Sequence, residues 1–149
     1  MNTDRVSRQT SFNSAMHDVV RLAGVNKTHV IRLVGPGGLA PLLWFCRHGY
    51  EQVGYVTEGS CLSEPCDLLI VLRCADAETL TRLLENGPQV QSGGVLIAQD
   101  PVVASTGGAE SLDHMLSRHG RRVGGRIHVG GHELFVIRSE ASQPVKQAA

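Results

Sequence analysis

Long apolar runs are missing from this sequence, and their absence excludes one class at once. No stretch approaches the roughly 18 consecutive apolar residues a membrane-crossing helix needs. An excess of either charge is missing too: 14 basic and 14 acidic residues give a formal net charge of zero. Nothing global therefore steers the chain toward nucleic acid or an anionic lipid surface. Aromatics are scarce, with one tryptophan, two tyrosines and three phenylalanines. The basic cluster Arg118, Arg121, Arg122 and Arg126 has no interleaved rings on which bases could stack. It reads as a solvated helix end and a guarded sheet edge rather than a nucleic-acid surface. The first residues, Met1 to Asn13, are polar and lack the apolar centre of a secretory leader. A cytoplasmic setting is the expectation, with the four cysteines as reduced thiols. Cys46, Cys61, Cys66 and Cys74 do not form the two close pairs of a zinc site, and the seven histidines are scattered, so no metal is expected. No Ser-His-Asp order or Cys-His pairing singles out a catalytic residue.

What is abundant is glycine, 17 of 149 residues, in a chain of single-domain length. The organising stretch runs from His29 to Glu58. A β-branched run, Val30 to Val34, ends in Gly35-Pro36-Gly37-Gly38, and an amphipathic segment follows. A second apolar run, Val53 to Val56, then leads to the acidic Glu58. Strand, glycine turn, helix, strand and carboxylate is the order of a nucleotide-binding βαβ unit. Pro41 suits only the first turn of the helix, and Gly49 ends it. Leu39, Leu42, Leu43 and Cys46 fall at i, i+3, i+4 and i+7, which predicts that this stripe lies on the sheet.

Elsewhere the spacing predicts a short helix from Asn13 or Ser14 to Gly24, with Ala15, Val19, Leu22 and Ala23 inward. Strands are expected at Thr28 to Val34, Gln52 to Thr57, Asp67 to Leu72 and Val95 to Ala98. A helix capped by Asp76 and another carrying Leu112, Met115 and Leu116 fall between and after them. A Gly130-Gly131 turn joins an edge strand to Leu134-Phe135-Val136-Ile137, which is apolar on both faces and therefore interior. The fold class that follows is α/β: a Rossmann-like three-layer sandwich of about six mostly parallel strands with a C-terminal antiparallel hairpin. Residues 1–12 are expected to be disordered, 13–138 to form the one domain, and 139–149 to be a flexible tail.

In element order, Thr28 to Arg138 resembles the class I S-adenosylmethionine-dependent methyltransferases. The local pieces are Val34-Gly35-Pro36-Gly37-Gly38, similar to that family's glycine loop, and Gln91-Ser92-Gly93-Gly94-Val95, similar to its turn into the fifth strand. The resemblance implies that Gly35, Gly37, Gly38 and Glu58 hold S-adenosylmethionine, and that Arg73 and Asp100 stand beside the transferred methyl group. Three departures imply a degenerate member. Leu33 takes the place of an acidic residue, Leu39 takes the place of the third glycine, and only nine residues, Glu58 to Cys66, replace a strand and its helix. There is also no Asn-Pro-Pro-Tyr type motif for methylating an amine.

The expected function is a methyltransferase-like, non-catalytic domain that acts by self-association or partner binding, with a residual cofactor groove. An active small methyltransferase is the alternative. A second is an NAD(P)-binding protein, because Gly35-x-Gly37-x-x-Ala40 also fits the dinucleotide fingerprint. The missing helix would bare an apolar sheet face near the second strand, which either the N-terminal helix or a second copy would cover. A homodimer is therefore the expected partner arrangement.

Overall fold

The computed structural model describes residues 3–56, 65–72, 81–82, 84–85, 90–99, 112–129 and 132–139. Three α-helices and six β-strands are complete within them: α1 (Thr3–Ala23), β1 (Val30–Val34), α2 (Leu39–Arg47), β2 (Gln52–Val56), β3 (Cys66–Val71), β4 (Val90–Gln99), α3 (Leu112–Arg118), β5 (Arg121–Val129) and β6 (His132–Ser139). Thr81, Arg82, Leu84 and Glu85 are also helical. The strands make one six-stranded sheet in the order β2-β1-β3-β4-β6-β5. The first four run parallel; β6 is inserted antiparallel between β4 and β5. The interior placement of the last strand is the one its two apolar faces demand.

Alternation along the strands divides the core into two layers. Ile31, Leu33, Leu68, Ile70, Val95 and Ile97 face α1 and α2. Val34, Val56, Leu69, Val71, Leu96 and Ile137 face the other way, towards Met115 and Leu116 of α3. The chain is thus a three-layer sandwich, with its core on both sides of the parallel strands.

Three sequence expectations need correction. The first helix begins at Thr3, not at Asn13 or Ser14, so most of residues 1–12 are helical rather than disordered. Once Ala15, Met16 and Val19 anchor that helix in the core, each residue added upstream gains a backbone bond without a new nucleation cost. The expected turn at Ser92-Gly93-Gly94 lies inside β4, which starts at Val90. Gly93 takes φ +86°, and the pairing of β3 with β4 shifts between Cys66 and Leu68, so the glycines make an irregularity within a strand.

The third correction concerns α2. Its buried residues are Pro41, Trp44 and Phe45, on the side of the helix away from the predicted stripe. Of the predicted stripe only Leu42 packs on the core; Leu39 and Leu43 remain 66% and 40% exposed, and Cys46 is exposed as well. A docking of this helix by its aromatic side is reinforced by α1. The Trp44 indole N–H donates to Asn13 Oδ1 at 2.8 Å, and the His48 ring stacks on Trp44 with centroids 3.9 Å apart. The His17 ring meets Trp44 edge-on at 5.1 Å.

Cys66, at the start of β3, has no exposed surface. Burial pushes its thiol up from 9.0 to about 11; Asp67 adds to the rise, while Arg32 and Arg121 oppose it. The folded chain therefore holds this proton more tightly than the unfolded one. Its contribution to stability is complete below pH 9.0 and is lost as pH rises through about 11. The urea midpoint of the wild type is expected to fall across that window more steeply than that of Cys66→Ala, and equal slopes would remove the assignment.

Candidate functional site

The strand order reverses direction at β1. From β1 the chain passes through α2 to β2 on one side, and later returns as β3 on the other. In open α/β sheets, ligands bind outside the carboxyl ends of the strands at such a switch point. Here that position holds Gly35-Pro36-Gly37-Gly38, between the end of β1 and the first turn of α2.

The glycines are required for different reasons. Gly35 has φ +104°, and a Cβ there would stand 2.2 Å from the carbonyl oxygen of Leu72. The Leu72 N–H donates to the Val34 carbonyl at 2.8 Å, so the two carboxyl ends are laced together just below the turn. Gly37 has φ +86° with no atom within 4 Å of a Cβ position, so only its backbone conformation calls for glycine. Gly38 caps α2 without a side-chain hydrogen bond. A Cβ on it would meet the Tyr55 ring at 2.7 Å.

Tyr55 is the residue that sequence reasoning missed. It lies on β2 in register with Leu33, and its hydroxyl donates to the Gly35 carbonyl at 2.5 Å. The ring therefore crosses the mouth of the glycine turn, tied at one end to Gly35 and pressed at its edge against Gly38. The signal was present in the alternation of the strand. With Val56 in the opposite core layer, Tyr55 must project on the α2 side, at the carboxyl end where the turn sits.

Of the expected site residues, Gly35, Gly37 and Gly38 are brought together at the switch point. Glu58, Arg73 and Asp100 lie outside the described residues. So do Cys61, Cys74, Asp76 and the Gly130-Gly131 turn. Leu33, where the resemblance led to the expectation of an acidic residue, is fully buried and belongs to the core cluster shared with α2. Its neighbour Arg32 projects from the opposite face, where its guanidinium donates to the carbonyls of Ile31 and Gln52 and lies beside Gly54. The basic cluster is not one surface either. Arg121 is half-buried, whereas Arg126 lies over the Phe135 ring at 4.9 Å and 3.7 Å from Glu133.

Comparison with solved structures identifies the fold. The chain matches ribosomal protein L11 methylase from Lactobacillus delbrueckii subsp. bulgaricus with a TM-score of 0.63 at 12% identity, over 85% of this chain and 77% of that one. It matches magnesium protoporphyrin IX methyltransferase from Synechocystis PCC 6803, with S-adenosylhomocysteine bound, at a TM-score of 0.57 and 12% identity over 93% and 89% of the two chains. A mutant of MtNAS in complex with S-adenosylmethionine gives 0.57 and 14%, over 87% and 62%. The protein has the fold of the class I S-adenosylmethionine-dependent methyltransferases, which bears out the resemblance read from the sequence. No protein-family model matches the sequence, nor does any curated protein.

Proposed function

We propose that this protein is a trimmed methyltransferase-fold domain that transfers no methyl group and works through association with protein. The observation that carries this reading is Tyr55. A nucleoside seated over Gly37 and Gly38 needs the volume that the tyrosine ring takes, and the ring is held by its bond to the Gly35 carbonyl. The glycine turn keeps its shape because β1 and β3 need it for packing, so its survival does not require a ligand. The edge position of β2 agrees with this, since among the described residues no further strand walls the crevice.

The alternative is an active small methyltransferase. It is favoured by the positive φ angles of Gly35 and Gly37 at the switch point and by neighbours of the same fold that hold S-adenosylmethionine or its product. In that reading Gly35, Gly37, Gly38 and Glu58 hold the cofactor, with Arg73 and Asp100 beside the acceptor. Catalysis would rest on alignment of the nucleophile with the methyl group, which needs no acid–base residue. The NAD(P) reading is weaker, because the inverted β6 departs from the 3-2-1-4-5-6 strand order of dinucleotide-binding sheets.

Thermal unfolding with S-adenosylmethionine, S-adenosylhomocysteine, NAD and NADP tests the proposal. A ligand at 100 times its dissociation constant stabilises by about 2.7 kcal/mol, a rise of several degrees in a domain of this size. No rise at millimolar concentration is expected for the wild type. In Tyr55→Ala, which empties the crevice, stabilisation by S-adenosylhomocysteine is the expected gain. Saturable stabilisation of the wild type by the homocysteine product overturns the proposal.

A further inference from the structure

The sheet has two edges, and the sequence treats them in opposite ways. Along β5 the exposed residues Arg122, Arg126 and His128 line the outer strand, and its pairing with β6 shifts between Val123 and Gly125. Charges and a bulge on an edge keep a further strand from adding. Along β2 neither device is present. Gln52-Val53-Gly54-Tyr55-Val56 has no charge and no proline, and it keeps unbroken register with β1 from Val30↔Gln52 to Val34↔Val56. Among the described residues β2 pairs only with β1.

Beside this unguarded edge lies the stripe that α2 leaves uncovered. Trp44 and His48 turn toward Asn13 and His17 of α1, and Leu42 packs on the core, so the exposed Leu39, Leu43 and Cys46 lie on the flank turned the other way. Leu39, Leu43 and Cys46 have the i, i+4, i+7 spacing of a helix–helix seam, and the only charge on α2 is Arg47 at its end. Tyr55, 44% exposed, adjoins the first turn of the helix. Leu39, Leu43 and Tyr55 alone expose roughly 300 Å², the size at which an apolar patch marks an interaction site. Cys46 and the outer backbone edge of β2 extend this patch.

We infer that β2 and the outer stripe of α2 form the interface of a twofold-symmetric homodimer. In it, β2 pairs antiparallel with β2 of a second copy and the two α2 stripes pack across the axis. This deepens the reading that the chain works by association, and rests on it. The second copy is the occupant for three reasons. A twofold axis normal to the sheet makes a strand antiparallel to its own copy, so the contact closes on itself. The guarded β5 edge stops the head-to-tail addition that would give open fibres. Finally, the stripe and strand carry no charge, and the net charge of zero gives two copies nothing to repel them. Arg32, the cation on the strand paired with β2, is tied to its own chain's carbonyls on the opposite face.

Light scattering and concentration-dependent hydrogen exchange test the interface. The wild type is expected at twice 16.0 kDa. The double substitution Leu39→Glu, Leu43→Glu places four carboxylates in the seam and should weaken the dimer about 100-fold or more, with unchanged circular dichroism. Arg126→Ala, at the guarded edge, should remain a dimer. Amides of β2 should exchange more slowly as concentration rises. A wild-type monomer at about 100 µM, a double variant that keeps the dimer mass, or β2 exchange indifferent to concentration overturns the inference. Neither readout involves a nucleoside. A monomer that ignores S-adenosylhomocysteine therefore removes this interface alone, and a dimer that binds it removes only the non-catalytic reading.

Discussion

Phe45→Ala is expected to cost about 3–5 kcal/mol of folding stability, while Leu39→Ala in the same helix stays within about 0.5 kcal/mol. Phe45 is fully buried; its ring meets Trp44 and Tyr50 edge-on at 5.4 and 5.2 Å. Removing it opens a cavity beneath α2 where Ile31, Leu33 and Trp44 belong to one cluster. Those residues are held by the sheet and by the Asn13 bond, so they cannot collapse into the gap. With a whole-domain stability of about 5–15 kcal/mol, that loss takes a large share and can unfold the chain at physiological temperature. Leu39 gives up little, because most of its surface is already in water. Urea titrations of the two variants read this directly. Equal losses would mean that α2 docks by the other face.

That contrast also shows where the sequence was legible. The strands were readable because β1 and β3 are apolar on both faces, a pattern only a buried parallel strand tolerates. The inverted β6 was readable from the same property beside the Gly130-Gly131 pair of the sequence. The rotation of α2 was not. Leu39 to Cys46 carries no charge, so helical periodicity found a stripe but had no polar face against which to orient it. The larger aromatic rings decided the matter, since Trp44 and Phe45 bury more surface than leucines do, and α1 supplied a partner for the indole. The start of α1 was hidden for a related reason: a helix extended from a core anchor needs no apolar face of its own. At the site, Gly35, Gly37 and Gly38 were legible from their spacing. For Tyr55 the alternation of β2 gave the side of the sheet, but its bond to Gly35 depends on a register between β1 and β2 that no local pattern states.

The glycine turn yields the second large effect. Gly35→Ala is expected to destabilise by about 3 kcal/mol or more, and Gly37→Ala by only about 1–2 kcal/mol. Both positions hold a positive φ, so each substitution brings the left-handed strain of an L residue. At Gly37 the added methyl enters open space. At Gly35 it would sit 2.2 Å from the Leu72 oxygen, a backbone atom that cannot rotate away as a side chain would. Leu72 is itself bonded to Val34, so relief would come only by parting β1 from β3 at the switch point. The ranking separates two roles the sequence left merged: Gly35 serves the junction of the strands, and Gly37 serves only the backbone conformation of the turn. Denaturation midpoints in which Gly37→Ala is the more damaging change would reverse those roles.

The most direct measurement is a titration of the isotope-labelled wild type with S-adenosylhomocysteine, followed at the backbone amides of Gly35, Gly37 and Gly38. With the Tyr55 ring across the turn, these three signals should stay in place up to millimolar nucleoside and should move only in Tyr55→Ala. Saturating shifts of the glycine amides in the wild type at micromolar nucleoside would contradict the account.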